Sequence, residues 1–167
     1  MNHLRKIILK FYTSYYALKI KKRAKSCGDY LYLGNKSYVT SNTYLGRHVS
    51  FNGMQMFGNG KIEIGDYFHS GMGCQIITSF HNYEGTAIPY DKSFIDKDVL
   101  IGDFVWLGNN VTVLGGVKIG DGAIIQAGSV VVKDIPSYAI AGGHPAKVFK
   151  FRNKEHFLKL KEEGRFH

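Results

Sequence analysis

Residues 99–135 read VLIGDFVWLGNNVTVLGGVKIGDGAIIQAGSVVVKDI, and an apolar residue returns at every sixth position of this stretch. The repeated positions are Ile101, Leu107, Val113, Ile119, Ile125 and Val131. Glycine directly follows three of them, at Gly102, Gly108 and Gly120. A period of six fits neither an isolated helix nor an ordinary strand, and it is typical of a parallel β-helix built from hexapeptides. We therefore predict an all-β solenoid in which these residues point inward and stack from coil to coil.

An earlier run of the same period extends the predicted solenoid toward the N-terminus. Its positions are Leu33, Val39, Leu45, Phe51 and Phe57, followed after a one-residue slip at 58–60 by Ile64, Ser70 and Ile76. Three hexapeptides make one triangular coil, so the two runs predict stacked coils over residues 30–78 and 99–135. Burial of each large aliphatic residue in such a column contributes roughly 1.5–3 kcal/mol, and we expect these columns to form the core.

The two runs are separated by residues 79–98, SFHNYEGTAIPYDKSFIDKD, which break the register. A loop of this length in a compact domain is usually functional or disordered, and its aromatic content argues against disorder. We therefore expect an active-site loop at residues 79–98.

The two ends of the chain predict helices. Residues 1–29 form a basic N-terminal segment with an amphipathic helix over residues 3–25, which we expect to cap the first coil. Contact of this helix with an anionic membrane surface is the alternative. Residues 30–152 form the solenoid domain. Residues 153–167 contain a short C-terminal helix over 153–163, with Asn153 as N-cap and Gly164 as the stop.

Composition narrows the location and the partners. The chain has 167 residues, two cysteines and a formal net charge of +9. Two cysteines do not make a disulfide framework, and the sequence shows no secretory signal or membrane-spanning stretch, so we expect a cytoplasmic protein. The basic excess suits an anionic membrane or an acidic substrate. No nucleic-acid-binding motif accompanies it, so nucleic acid is not an expected partner.

Three stretches carry a resemblance to a known family. They are VWLGNNVTVLGGVKIG at 105–120, AIIQAGSVVVKDIP at 123–136 and AGGHPAKV at 141–148. Together they resemble the hexapeptide-repeat acetyltransferases that use acetyl-CoA, over about residues 60–152. The subgroup includes galactoside, maltose and xenobiotic acetyltransferases and the O-acetyltransferases of bacterial capsule and O-antigen sugars. The resemblance implies a left-handed β-helix, acetyl-CoA as the acetyl donor, no metal, and a homotrimer with active sites between adjacent subunits.

The resemblance also assigns catalytic roles. His81, at the break in register, matches the catalytic histidine, and imidazole can take a hydroxyl proton because it gains and loses a proton near neutral pH. Trp106 matches a tryptophan beside the catalytic centre, where its backbone N–H or its ring would contact the thioester. Asn52 occupies a place where some members carry an oxyanion-stabilising asparagine.

Further residues are assigned to binding. By the same match, the candidates for acetyl-CoA are Trp106, Asn109, Ala127, Val132, Lys133, Lys147 and Lys150. The three lysines suit the phosphates of CoA. The candidates for the acceptor are loop residues, namely Tyr83, Glu84, Tyr90 and Asp91. Tyrosine rings suit sugar faces, and either carboxylate could also orient His81.

We therefore predict an O-acetyltransferase acting on a sugar hydroxyl in bacterial surface polysaccharide biosynthesis. A small-molecule acceptor such as an antibiotic or an amino sugar, and a non-catalytic scaffold, are the alternatives. A metal enzyme of the γ-class carbonic anhydrase type is disfavoured because it needs a close histidine pair, and His69 and His81 are far apart in register.

Overall fold

The computed structural model describes the backbone of residues 3–167 and the side chains of residues 13–167. The predicted apolar positions from Leu4 to Phe11 in the N-terminal helix therefore lie outside the described side chains. From residue 26 onward the chain winds into stacked coils, and each full coil adds one short parallel strand to each of three faces. These coils form a left-handed parallel β-helix with a helix at each end, which confirms the predicted fold.

The strands are assigned here to faces A, B and C, in the order in which the chain visits them. Face A consists of β1 (Ser26–Cys27), β3 (Thr43–Leu45), β6 (Ile62–Ile64), β11 (Val99–Ile101) and β14 (Lys118–Ile119). Face B consists of β2 (Tyr32–Asn35), β4 (Ser50–Asn52), β7 (His69–Met72), β12 (Trp106–Leu107), β15 (Ile124–Ile125), β17 (Ala139–Gly143) and β18 (Ala146–Phe151). Face C consists of β5 (Gln55–Phe57), β8 (Gln75–Ile77), β13 (Thr112–Leu114) and β16 (Val130–Val131).

The core is the stack of inward residues from the three faces. On face A the column is Leu45, Ile64, Ile101 and Ile119, in register and at most 4% exposed. Face B adds a column of Leu33, Phe51, Ser70, Leu107, Ile125 and Ala141. All six inward positions predicted from residues 99–135 are buried, which confirms the hexapeptide register there.

One predicted core position is wrong. Phe57 is 44% exposed, whereas its neighbour Met56 is fully buried and aligns with Ile76 on face C. The inward residues Phe51 of face B and Met56 of face C are one residue closer in sequence than the six-residue repeat requires. The next corner, at 58–61, is longer than in a regular coil. The net slip of one residue was predicted, but it arises from two compensating irregularities rather than one.

The glycine after the inward residue has a steric cause. A Cβ on Gly65 would lie 2.4 Å from Oδ1 of Asp103 in the next coil. That oxygen accepts a hydrogen bond from the backbone N–H of Asp66 at 2.8 Å. The same link recurs one coil later, where Asp121 accepts from the N–H of Asp103 at 3.0 Å. The glycine at the A/B corner therefore leaves room for an aspartate whose carboxylate accepts a hydrogen bond from the backbone of the preceding coil. We call the repeat of this bond from coil to coil the carboxylate ladder.

The charge of one ladder carboxylate is stabilised further. Arg47 donates its Nε–H and a terminal N–H to Oδ2 of Asp66, at 3.0 and 2.6 Å, and these bonds lower the pKa of Asp66. The pair sits at the same A/B corner, on the solvent side.

The N-terminal helix, α1 (His3–Arg23), packs on the first coil. Ile20 is buried in the core cluster, and Nε of Arg23 donates to the carbonyl oxygen of Val39 at 2.7 Å. Among the described residues, no helix carries an apolar stretch of the length a bilayer requires.

The C-terminal helix, α2 (Lys154–Glu162), has both predicted end signals. Oδ1 of Asn153 accepts from the N–H of His156 at 2.9 Å, as an N-cap does. Gly164 has a φ of +65°, and the N–H groups of Gly164 and Arg165 donate to the carbonyls of Lys161 and Leu160. This is the Schellman pattern, which fixes where the helix ends and the tail turns back.

Candidate active site

The break in register is an ordered arm at the C/A corner. It consists of two antiparallel strands, β9 (Ser79–His81) and β10 (Phe94–Asp96), with His81 directly opposite Phe94. The Phe80 ring packs beside Gly115, so the base of the arm rests on the following coil. His81 is exposed at the outer end of β9.

Two aromatic rings hold the imidazole of His81. Tyr90 stacks on it with ring centroids 3.8 Å apart and planes 12° apart, and Phe94 contacts it at 4.6 Å. The structure thus brings together two residues that the sequence assigned separately, His81 and Tyr90. Phe94 was not predicted as a site residue.

The two loop carboxylates do not orient His81. Asp91 accepts hydrogen bonds from the hydroxyl of Ser93 at 2.5 Å, from the N–H of Ser93 at 2.8 Å and from the N–H of Thr86 at 3.0 Å, and these bonds lower its pKa. Asp91 therefore organises the loop itself. Glu84 and Tyr83 lie at the exposed tip, where they could meet an acceptor, and no hydrogen bond joins either carboxylate to His81 among the described residues.

Trp106 lies on a different side of the solenoid. It is an outward residue of β12 on face B, 54% exposed, and in register with His69 and Ile124. Its ring lines a cavity of about 480 Å³ between the A/B corner, face B and α2. His81 belongs instead to the C/A corner, so one chain does not bring these two predicted catalytic residues onto a common face.

Asn52, Asn109 and Ala127 share the B/C corner in different coils. Asn109 accepts from the N–H of Met72 at 2.8 Å, and Met72 is the register partner of Asn52. Oδ1 of Asn52 accepts from Nδ2 of Asn35 at 2.6 Å. Asn52 is therefore tied to its neighbouring coil on a corner away from His81.

The remaining cofactor candidates are exposed at two places. Val132 and Lys133 follow β16 at the C/A corner, the corner from which the His81 arm leaves. Lys147 and Lys150 lie in β18, opposite Gly142 and Ile140. The candidates thus border face C and the last strand of face B, rather than one continuous line.

The described part of the chain has no set of side chains arranged to bind a metal ion. No group of three or more histidine, cysteine or carboxylate side chains is placed to hold an ion there. Cys27 and Cys74 are both free thiols.

His69 lines the cavity beside Trp106, although no role in binding or catalysis was predicted for it. It pairs with Trp106 across face B. A signal was available, because His69 precedes the inward Ser70 as Trp106 precedes the inward Leu107. Aligning the two coils would have placed both side chains on one face.

A family model of the bacterial transferase hexapeptide, with six repeats, matches residues 98–133. A crystal structure of a maltose O-acetyltransferase from Clostridium difficile is 31% identical, with a TM-score of 0.63 over 78% of this chain and 68% of that one. The chain belongs to the hexapeptide-repeat acetyltransferase family. A galactoside acetyltransferase in complex with coenzyme A superposes with a TM-score of 0.74 at 26% identity, covering 84% of this chain and 72% of that one.

Several matches to curated acetyltransferases are short. The chloramphenicol acetyltransferase of Morganella morganii is 46% identical over 63 residues, 38% of this chain and 30% of that protein. For the first curated relatives the matched part spans about a third of their length.

Proposed function

We propose that this protein is an acetyl-CoA-dependent O-acetyltransferase in which His81 is the general base and a sugar supplies the hydroxyl. The observation that carries the proposal is the match to a coenzyme A complex over most of the solenoid. The exposed, ring-held His81 at the one long break in the coils supports it.

In the proposed reaction His81 takes a proton from the acceptor and later gives it to the leaving thiolate. The imidazole of His81 takes the proton of the acceptor hydroxyl while its oxygen attacks the thioester carbonyl carbon. A new C–O bond forms, and the oxyanion that results needs a hydrogen-bond donor. The backbone N–H of Trp106 is not that donor, because it donates to the carbonyl oxygen of Ala123 at 3.0 Å. Any contact of Trp106 with the thioester would therefore come from its ring. The intermediate then collapses with cleavage of the C–S bond, and the CoA thiolate receives the proton from the imidazolium.

We also propose a homotrimer with sites between subunits. Placement supports this, because His81 lies at the C/A corner and Trp106 on face B. The arm of one copy could reach face B of the next, which would unite the two residues. Val132 and Lys133 share the corner of the arm and would then face the same cleft.

The sugar acceptor is proposed because two solved structures that superpose on 84% and 78% of this chain are a galactoside acetyltransferase and a maltose O-acetyltransferase. An antibiotic stays the alternative, because a chloramphenicol acetyltransferase is 46% identical over 63 residues. We place the reaction in the cytoplasm, where acetyl-CoA is available, and in the modification of bacterial surface polysaccharide. Contact of the basic α1 with anionic lipid stays a prediction.

The test is acetyl-CoA turnover, followed as free CoA thiol, across a panel of sugars and antibiotics. We expect a sugar-dependent signal that falls by roughly 10²–10⁴-fold in His81→Ala, because the general base is lost. His156→Ala, an exposed histidine on α2, is the matched control and should retain activity. Full activity of His81→Ala with its best acceptor would refute the role of this residue.

A further inference from the structure

The cavity beside Trp106 is walled mainly by aromatic rings. Face B and the A/B corner contribute Tyr67, Phe104 and Trp106, and the C-terminal segment contributes Phe157 and Phe166. Phe166 packs on Tyr67 with centroids 4.5 Å apart and on Phe104 at 5.3 Å. At about 480 Å³ the cavity has the volume of an ordinary small-molecule site.

The outer wall is held by a specific fit between α2 and the solenoid. Phe157 is buried against Gly122, where a Cβ would lie 3.1 Å from its ring. The centroid of this ring lies 5.1 Å from that of Tyr138 and 5.8 Å from that of Phe104. Phe157 thus occupies the space that Gly122 leaves between these two aromatic residues of the A/B corner. The Schellman turn at Gly164 then directs Phe166 back over Tyr67.

The charged side chains of the cavity wall are all basic. The wall includes Arg152, Lys161 and Arg165, and none of its described residues is acidic. Arg165 is paired with Glu163 at 3.0 Å. In the part of the chain with described side chains, neither Arg152 nor Lys161 takes part in an ion pair.

These two cations lie against rings instead of carboxylates. The guanidinium of Arg152 sits 4.6 Å from the centre of the Phe157 ring and donates to the carbonyl of Gly122 at 3.1 Å. Nζ of Lys161 lies 5.0 Å from the centre of the Phe104 ring. Arg152 is half-buried, so its charge is partly removed from water, and this burial lowers the pKa of its guanidinium. A partly dehydrated cation without a counter-ion favours an anionic ligand.

We infer that this cavity binds the acceptor through a phosphate group attached to an apolar or aromatic body. The rings would hold the body, and Arg152 and Lys161 would hold the phosphate. The acceptor is then a sugar joined through phosphate to a nucleoside or to a lipid, rather than a free sugar. This inference rests on the proposed function, since it is Trp106 in the wall that places the ligand beside the reacting thioester.

The binding test uses the full chain and does not depend on turnover. Trp106 is the only tryptophan, so its fluorescence reports ligands that enter the cavity. The probes are uridine monophosphate and decyl phosphate, each compared with its phosphate-free analogue, uridine and decanol. We expect saturable changes with a phosphate-bearing probe, and affinity at least about tenfold lower for its analogue. Preference between the two probes distinguishes a nucleotide-linked from a lipid-linked acceptor.

Variants of the wall supply the controls. Lys161→Gln and Arg152→Gln should each weaken phosphate-probe binding about tenfold. Lys159→Gln is the matched control on the same helix, because Lys159 does not line the cavity and only pairs loosely with Glu163 at 4.0 Å. Equal affinity for charged and uncharged probes, no saturable response to either phosphate, or unchanged binding in Lys161→Gln would overturn the inference. If the proposed acetyltransferase function is wrong, acetyl-CoA turnover will be absent whether or not the phosphate probes bind.

Discussion

At the scale of single residues, the main finding is how His81 is oriented. The ring of His81, the proposed general base, is stacked on Tyr90 and forms no hydrogen bond with a carboxylate among the described residues. Stacking restrains the plane of the imidazole while leaving its nitrogens free of hydrogen bonds within the described chain.

The position of His81 could be predicted from the sequence, but its surroundings could not. The break in the six-residue period is visible in the sequence, and it marks the arm. The contact with Tyr90 depends on how the tip folds, through the bonds of Asn82 with Ser93 and of Asp91 with Thr86. No local pattern encodes those bonds, so Asp91 was grouped with the acceptor residues when its observed contacts are within the loop.

Tyr90→Ala tests the positioning role. We expect kcat to fall about tenfold with little change in KM for acetyl-CoA, because a freed imidazole spends less time in the reactive orientation. Tyr90→Phe keeps the ring and should restore most of the rate. Steady-state kinetics of the two variants would contradict this role if Tyr90→Ala matched the parent in kcat, or if Tyr90→Phe were as impaired as Tyr90→Ala.

At the scale of elements, the repeats were predictable because each coil obeys the same steric rule. The inward residue must fill the core, and a following glycine such as Gly65 leaves room for the aspartate of the next coil. The register failed at Phe57 because Met56 and Phe57 are adjacent and both apolar. Periodicity alone cannot decide which of the two points inward when a corner is shortened.

Substitution of these two neighbours tests the observed register. Met56→Ala should lower the free energy of unfolding by about 2–5 kcal/mol, because it removes a fully buried side chain. Phe57→Ala should cost less than about 1 kcal/mol, since that ring is partly in solvent. Urea denaturation of both variants measures the difference, and the reverse order would support the register predicted from the sequence.

At the scale of the whole molecule, one copy of the described chain does not bring the proposed catalytic residues together. His81 extends from the C/A corner, and Trp106 faces out of face B beside His69. The six-residue register already contains this separation, because His81 follows the face C residue Ile76 and Trp106 precedes the face B residue Leu107. Only the resemblance to the family raised the expectation of a site shared between subunits.

The distribution of charge over the surface is also a property of the whole molecule. The net charge of +9 is concentrated toward the two ends of the sequence. The folded chain brings part of the C-terminal share, at Arg152 and Lys161, to the cavity beside Trp106. The sequence related this positive charge only to anionic partners in general. In the folded chain, part of the charge lies beside one cavity.

The decisive measurement mixes two variants of the full chain that we expect to be inactive, His81→Ala and Trp106→Ala, by co-expression with different tags and purification of the mixed assembly. If His81 of one copy works with Trp106 of the next, every mixed trimer has one intact site in three, and acetyl-CoA turnover returns toward about a third of the parent rate. A mixed assembly no more active than the two variants alone would contradict a site built between subunits.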